Sequence, residues 1–251
     1  MQNVINTTIA QANITITNSG DEPAYDVIIE PLPNALGITS NQISLGNILP
    51  NQSAYGMVQL NIPAEALPGR YAMGFMIRYN DLNNYPFTFV TPVKLFYKTA
   101  VQSNVVATLD EVELLGEEKK PMTLEIQNRD TVAHQVNIKL YTPNQISVEN
   151  LERSETLAPS SKTKVEFTLS PLGALPGGNF FVFAVIDYDD NGQHYSVSSN
   201  GRIITSKERS FMTTLAPFVI GLVILAFIAL IYFQLRKDKP VKEAPKPTKK
   251  K

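Results

Sequence analysis

The residues best able to do chemistry lie in one stretch, Asp187-Tyr-Asp189-Asp190-Asn191-Gly192, which opens like a calcium loop of the D-x-D-x-N-G type. A hard cation wants converging oxygens, and Asp187, Asp189 and Asn191 are the candidate metal ligands. The twelfth position of such a loop is Ser198 and not Glu, and no helical pattern flanks it. The plainer reading is a tight hairpin, because Asn-Gly between two apolar runs is a strong turn signal. A second set of candidates is the sequons Asn6-Thr-Thr8, Asn13-Ile-Thr15 and Asn51-Gln-Ser53, which mark Asn6, Asn13 and Asn51 as glycosylation acceptors. With 20 Asn and 34 Ser plus Thr in 251 residues, chance alone supplies about three sequons, so their number argues nothing. Tyr71, Tyr79, Tyr85, Phe87 and Phe89 could line a glycan-binding or protein-binding face, or pack as cross-strand core pairs.

Other chemistries find no footing. The chain has no Cys, which removes disulfides, thiolate catalysis and Cys-based zinc sites. Its two histidines, His134 and His194, are far apart and have no metal-spaced partner. Glu111, Glu113, Glu117 and Glu118 read as a solvated acidic strand end. There is no glycine-rich phosphate loop and no nucleophile elbow. No catalytic residue and no cofactor are expected, and the chain reads as non-enzymatic.

The near-neutral net charge of -1 conceals a split. Residues 1–209 hold 14 basic and 21 acidic residues, whereas 236–251 hold 8 basic and 2 acidic. An acidic body repels phosphate, so nucleic acid is not an expected partner. Between the blocks, Ser210–Leu235 carries no charge. Within it Leu215–Phe233 is apolar throughout, and as a helix its 19 residues would span about 28 Å, close to a bilayer's hydrocarbon thickness. The expectation is a transmembrane helix in 210–235, with Phe211, Phe218, Tyr232 and Phe233 at its ends and Pro217 in its first turns. The basic tail 236–251, rich in Pro and Lys, should be disordered and cytoplasmic, and this places the N-terminal region outside the cell. Residues 1–15 lack a basic n-region and an apolar h-region, so an export signal is expected upstream of Met1. A tail-anchored cytosolic sandwich is the competing topology, and the eight tail cations argue against it.

The elements that must position these residues are strands. Before residue 210 no helical period is sustained, and short alternating runs recur between Pro, Gly and Asn. The sequence also repeats at a spacing of about 109 residues, the strongest internal signal. Ile14-Thr-Ile-Thr-Asn18 matches Thr123-Leu-Glu-Ile-Gln-Asn128, Ala66-Leu-Pro-Gly69 returns as Ala174-Leu-Pro-Gly177, and Phe75–Asp81 returns as Phe183–Asp190. The fold class is therefore all-β: two tandem immunoglobulin-like sandwiches, 1–98 and 99–206, followed by the helix. In the second copy strands are expected near 104–115, 121–128, 134–142, 145–149, 163–170, 178–188 and 194–205. The short join near Lys98–Ser103 predicts domains set end to end.

The series Ile16-Thr-Asn-Ser-Gly-Asp21, Ala24, Val27, Leu45-Gly-Asn-Ile-Leu-Pro50, Leu67-Pro-Gly-Arg-Tyr71 and Tyr79–Asp81 resembles the CARDB and NEW-type sandwich domains of archaeal and bacterial surface proteins, often S-layer-related. The second copy departs from it at Arg129-Asp130 and at Gly177-Gly-Asn-Phe180. The resemblance implies a structural or adhesive role with no shared catalytic set. Together these features predict a single-pass surface protein that contacts membrane lipid through 210–235 and meets other surface or membrane proteins. The alternatives are an accessory subunit of a translocon-associated or transporter-associated complex, and a membrane-tethered carbohydrate-binding module.

Overall fold

The computed structural model describes residues 4–34, 36–207 and 211–237, and within the last of these the side chains of 217–232. The chain falls into two units, Met1–Lys207 and Glu208–Lys251.

The first unit is built of strands whose burial alternates with the pleat. Along Lys120–Asn128, for example, Met122, Leu124 and Ile126 are fully buried while Thr123, Glu125 and Gln127 between them are not. The first sandwich comprises β1 (Val4–Ile5), β2 (Ile9–Thr17), β3 (Ala24–Pro31), β4 (Thr39–Ser40), β5 (Ile43–Ile48), β6 (Ser53–Asn61), β7 (Gly69–Asn80) and β8 (Pro86–Tyr97). One layer runs β5-β3-β7-β8-β1 and the other β2-β6-β4. The second comprises β9 (Val105–Leu109), β10 (Glu111–Leu115), β11 (Lys120–Asn128), β12 (His134–Tyr141), β13 (Ile146–Glu149), β14 (Glu152–Leu157), β15 (Lys162–Pro171), β16 (Asn179–Asp190) and β17 (Gln193–Ser206). Its layers are β14-β12-β16-β17-β10 and β13-β15-β11-β9. The strand order is thus the same twice, an immunoglobulin-like pattern with a parallel N-terminal strand closing one edge. Among the described residues β9 has no counterpart in the first sandwich.

The strands expected in the second copy lie close to those observed, with two differences. The run 104–115 breaks at Asp110, where the chain crosses from one layer to the other. Strand β14 is additional to the expected set. It is a sheet edge whose only buried residue is Leu157, so it lacks the apolar alternation that marks a half-buried strand.

The end-to-end arrangement is not what forms. Strand β17 pairs in parallel with β7 through His194↔Gly69 and Tyr195↔Arg70, so one sheet runs through both sandwiches. Beside this junction Ala72, Val90, Tyr141, Phe183 and Val185 make a third core, distinct from the two inside the sandwiches. The reason is in β7 and β16. Both are apolar on both faces, the pattern of a strand buried on both sides. Their inner residues fill their own sandwich and their outer ones fill the junction. Polar latches surround it: Tyr141 donates to the Pro33 carbonyl (2.9 Å), Gln145 Nε2 to the Pro86 carbonyl (3.1 Å) and Tyr85 to the Gly173 carbonyl (2.9 Å).

The second unit contains α1 (Phe211–Lys237), with Pro217 inside it, one turn further in than the first turn where proline costs nothing. Among the described residues no helix is both long and apolar enough to cross a membrane. The tail beyond Lys237 lies outside the described residues.

Candidate functional site

The Asp187–Gly192 stretch ends β16 and turns into β17 through Asn191 (φ 48°) and Gly192 (φ 72°), two left-handed residues in succession. That is the conformation a two-residue hairpin requires. The candidate ligands do not converge. Asn191 Nδ2 donates to Asp190 at the exposed tip (2.9 Å), while Asp187 and Asp189 turn onto His194. Among the described residues no group of three or more His, Cys, Asp or Glu could hold a metal ion.

His194 is the centre of this cluster. It is buried, its ring stacks on Tyr71 at 4.3 Å, Nδ1 lies 2.7 Å from Asp189 Oδ1, and Nε2 lies 3.0 Å from Ser196 Oγ. Burial acts to lower the imidazole pKa, but the hydrogen bonds and charges of Asp187 and Asp189 outweigh it and hold the pKa above the usual value. Tyr71, buried and facing the same carboxylates, is pushed up to about 12. The Asp–His–Ser spacing is that of a catalytic triad, but its working parts are committed elsewhere. Ser196 is fully buried and donates its proton to Asp187, so the hydroxyl is not directed at His194 as a nucleophile's would be. The cluster is a latch instead: the His194 amide donates to the Pro68 carbonyl (2.9 Å), fixing the junction. Sequence spacing offers no sign of it, since Asp187 and Asp189 face His194 only because the hairpin folds β17 back on β16.

The other candidates separate by burial. His134 is buried against Asp130 (2.8 Å) and the Tyr188 ring. Hydrogen bonds from Asn104 and His134 hold the Asp130 carboxyl below its usual range. Tyr79 stacks on Phe87 (5.4 Å), as Tyr188 does on Tyr195 (5.0 Å) in the second sandwich. Of the five aromatics, Phe89 is the exposed one of size, meeting Phe181 edge-on. Asn6, Asn13 and Asn51 are all exposed.

A concavity lies beside β2 of the first sandwich. Between β2 and β8 is a groove of about 820 Å³, bordered by the inward residues Ile14 and Ile16 of β2 and Phe89, Thr91 and Val93 of β8. Phe89 and Val93 remain 39% and 40% exposed although they point between the sheets. Asp21, Glu22 and Asp81 also border it, and among the described residues no Lys or Arg does. In the second sandwich the same place is filled by β9, whose Val105 and Leu109 join the core.

No family model and no curated protein matches the chain. Solved structures similar to it include the YadV chaperone, at 11% identity over 78% of this chain and 94% of that one, with a TM-score of 0.28. The seventh ScaB type I cohesin from Pseudobacteroides cellulosolvens is 8% identical over 44% of this chain and 97% of that one, with a TM-score of 0.28. Salmonella alpha-2-macroglobulin reacted with methylamine is 13% identical over 81% of this chain and 16% of that one, with a TM-score of 0.31. These likenesses assign no partner and no activity here. The strands themselves define the class: an immunoglobulin-like β-sandwich protein.

Proposed function

We propose that the chain is a non-enzymatic, single-pass surface protein. Its helix anchors it in the membrane, its two sandwiches stand outside the cell, and they act by contact with other proteins of the surface or membrane. The observation that carries the reading is the charge-free run Leu215–Phe233, followed in sequence by the lysine-rich tail. Every described side chain of the helix is exposed, including Phe218, Leu222 and Leu225 at 72%, 71% and 68%. Leaving such side chains in water forgoes roughly 1.5–3 kcal/mol each, which lipid restores. The CARDB-like motifs of the first sandwich support a surface role. A protein contact is favoured over a glycan platform because Tyr71 is buried and Tyr79 is covered by Phe87, leaving no flat aromatic row.

The test is extraction of membranes with alkaline carbonate. The full chain is expected to stay with the lipid and a chain ending at Lys207 to be released. Release of the full chain would remove the anchor from the account.

A further inference from the structure

We propose that the two-sandwich unit carries a lipid-contact rim at the end where β17 stops, and that Leu82, Leu172 and Leu175 enter the headgroup region of the bilayer there. The ligand is the polar–apolar boundary of a membrane surface, with no requirement for anionic lipid. This inference rests on the anchor half of the reading above and adds a second, shallower membrane contact to it. It is independent of the protein-contact half.

Strand direction and loop hydrogen bonds bring these leucines together. Strands β7 and β17 are parallel neighbours, so their last residues, Asn80 and Ser206, lie toward the same end. The tip that follows β7 carries Leu82, and its Tyr85 hydroxyl donates to the Gly173 carbonyl (2.9 Å), in the loop that holds Leu172 and Leu175. That loop is bonded in turn to the end of β17. The Gly177 amide donates to the Thr205 carbonyl (2.6 Å), the Thr205 amide to the Gly178 carbonyl (3.0 Å) and the Thr205 hydroxyl to the Leu175 carbonyl (2.6 Å). Leu82, Leu172 and Leu175 are nonetheless 71%, 63% and 53% exposed. Large apolar side chains gathered at one end and turned outward mark a contact surface.

The occupant follows from what leaves the same end. Residues 207–210 are all that separate Ser206 from Phe211, where the helix starts, and such a segment reaches at most about 18 Å when extended. With Phe211 at the membrane surface, the loop bonded to Thr205 stays within about that distance of the headgroups. The first copy supplies the contrast. Its own loop before the long strand sits at the opposite end, where the His194 amide at the start of β17 donates to the Pro68 carbonyl (2.9 Å). There Glu65 is exposed and Leu67 is half-buried. The second copy has Leu172-Gly173 in place of Pro63-Ala-Glu65, and its leucines face out. Residues 167–186 carry no charge at all. The apolar version of the loop is thus the one next to the helix in the chain. Electrostatic attraction is not the driving force, because acidic and basic groups are mixed at this end. The Gly116 amide donates to the Ser206 carbonyl (3.0 Å), which brings the turn with Glu117, Glu118 and Lys119 there. Asp81 is occupied by the amides of Asn83 and Tyr85 (both 2.8 Å). Exposed leucines on an uncharged loop suit the interface of a zwitterionic bilayer.

The test uses the full chain reconstituted in phosphatidylcholine vesicles, with single cysteines carrying an environment-sensitive fluorophore. The chain has no cysteine of its own to interfere. Lipid with a nitroxide near its headgroup is expected to lower the emission at Leu82→Cys, Leu172→Cys and Leu175→Cys about two-fold or more. No change is expected at Arg129→Cys, an exposed site past the end of β11 remote from the turn bonded to Ser206. Adding Leu172→Glu and Leu175→Glu should remove most of the quenching at Leu82→Cys and spare the fold, since both side chains are exposed. Leucine probes left unquenched in a chain that stays on the vesicles overturn the proposal, as does equal quenching at Arg129→Cys. Shielding from aqueous iodide without quenching by lipid, growing with the protein-to-lipid ratio, also overturns it, in favour of a second copy. Loss of the chain from the vesicles in alkaline carbonate defeats the anchor and this inference with it, so failure of the rim alone is distinguishable.

Discussion

At the scale of single residues, the junction depends on His194 and Gly69. A folded-state pKa raised above the unfolded value means the protonated imidazole stabilises the fold. That contribution is complete below the unfolded pKa of about 6.5 and fades as pH rises through the folded one. The melting temperature should therefore fall as pH is raised from about 6 into the alkaline range, and His194→Gln should flatten that slope. A slope of equal size in the variant would assign it to other groups. Gly69 is the complementary case. A Cβ built there would meet the His194 carbonyl oxygen at 2.0 Å, backbone against backbone, so the strands must separate. Gly69→Ala should cost about 2–3 kcal/mol, read in a urea titration. An unchanged midpoint would mean that the β7–β17 pairing is dispensable.

At the scale of elements, strands with one buried face are legible in the sequence, and strands with two are harder to place. The alternation of β11 and the Leu-Pro-Gly marks before β7 and β16 locate the sandwiches. The continuous apolar runs of β7 and β16 also signal a second buried face, but they do not say what covers it, and the short join at Lys98–Ser103 is equally compatible with a linear arrangement. Edge strands such as β14 carry little hydrophobic signal, and pairing across a hairpin, as at His194, has no fixed spacing to search for. Phe183 is the centre of the junction core, fully buried against Tyr141 with its ring 4.8 Å away. Phe183→Ala should destabilise by about 3–5 kcal/mol and uncouple the two sandwiches, giving two unfolding transitions by calorimetry. A single transition at the wild-type temperature would contradict the shared core. The β16–β17 hairpin needs no ion, since Asp187 and Asp189 are already satisfied by Ser196 and His194. Millimolar calcium or chelator should leave the melting temperature unchanged, and a clear rise with calcium would restore the metal reading.

At the scale of the whole molecule, the distribution of charge and apolar surface is the main physical fact. An acidic two-sandwich body, a charge-free helix run and a cationic tail are ordered along one chain. In the proposed orientation, lysines beside an anionic inner leaflet would gain roughly 1 kcal/mol each. The lateral junction joins the two sandwiches side by side through a shared sheet and core instead of as a two-link stalk. The most direct measurement uses two single cysteines in this cysteine-free chain, Glu65→Cys on the exposed surface of the first sandwich and Lys246→Cys in the tail. A membrane-impermeant maleimide added to intact cells should label the first and spare the second until the cells are opened. Labelling of Lys246→Cys alone in intact cells would invert the molecule and contradict the account.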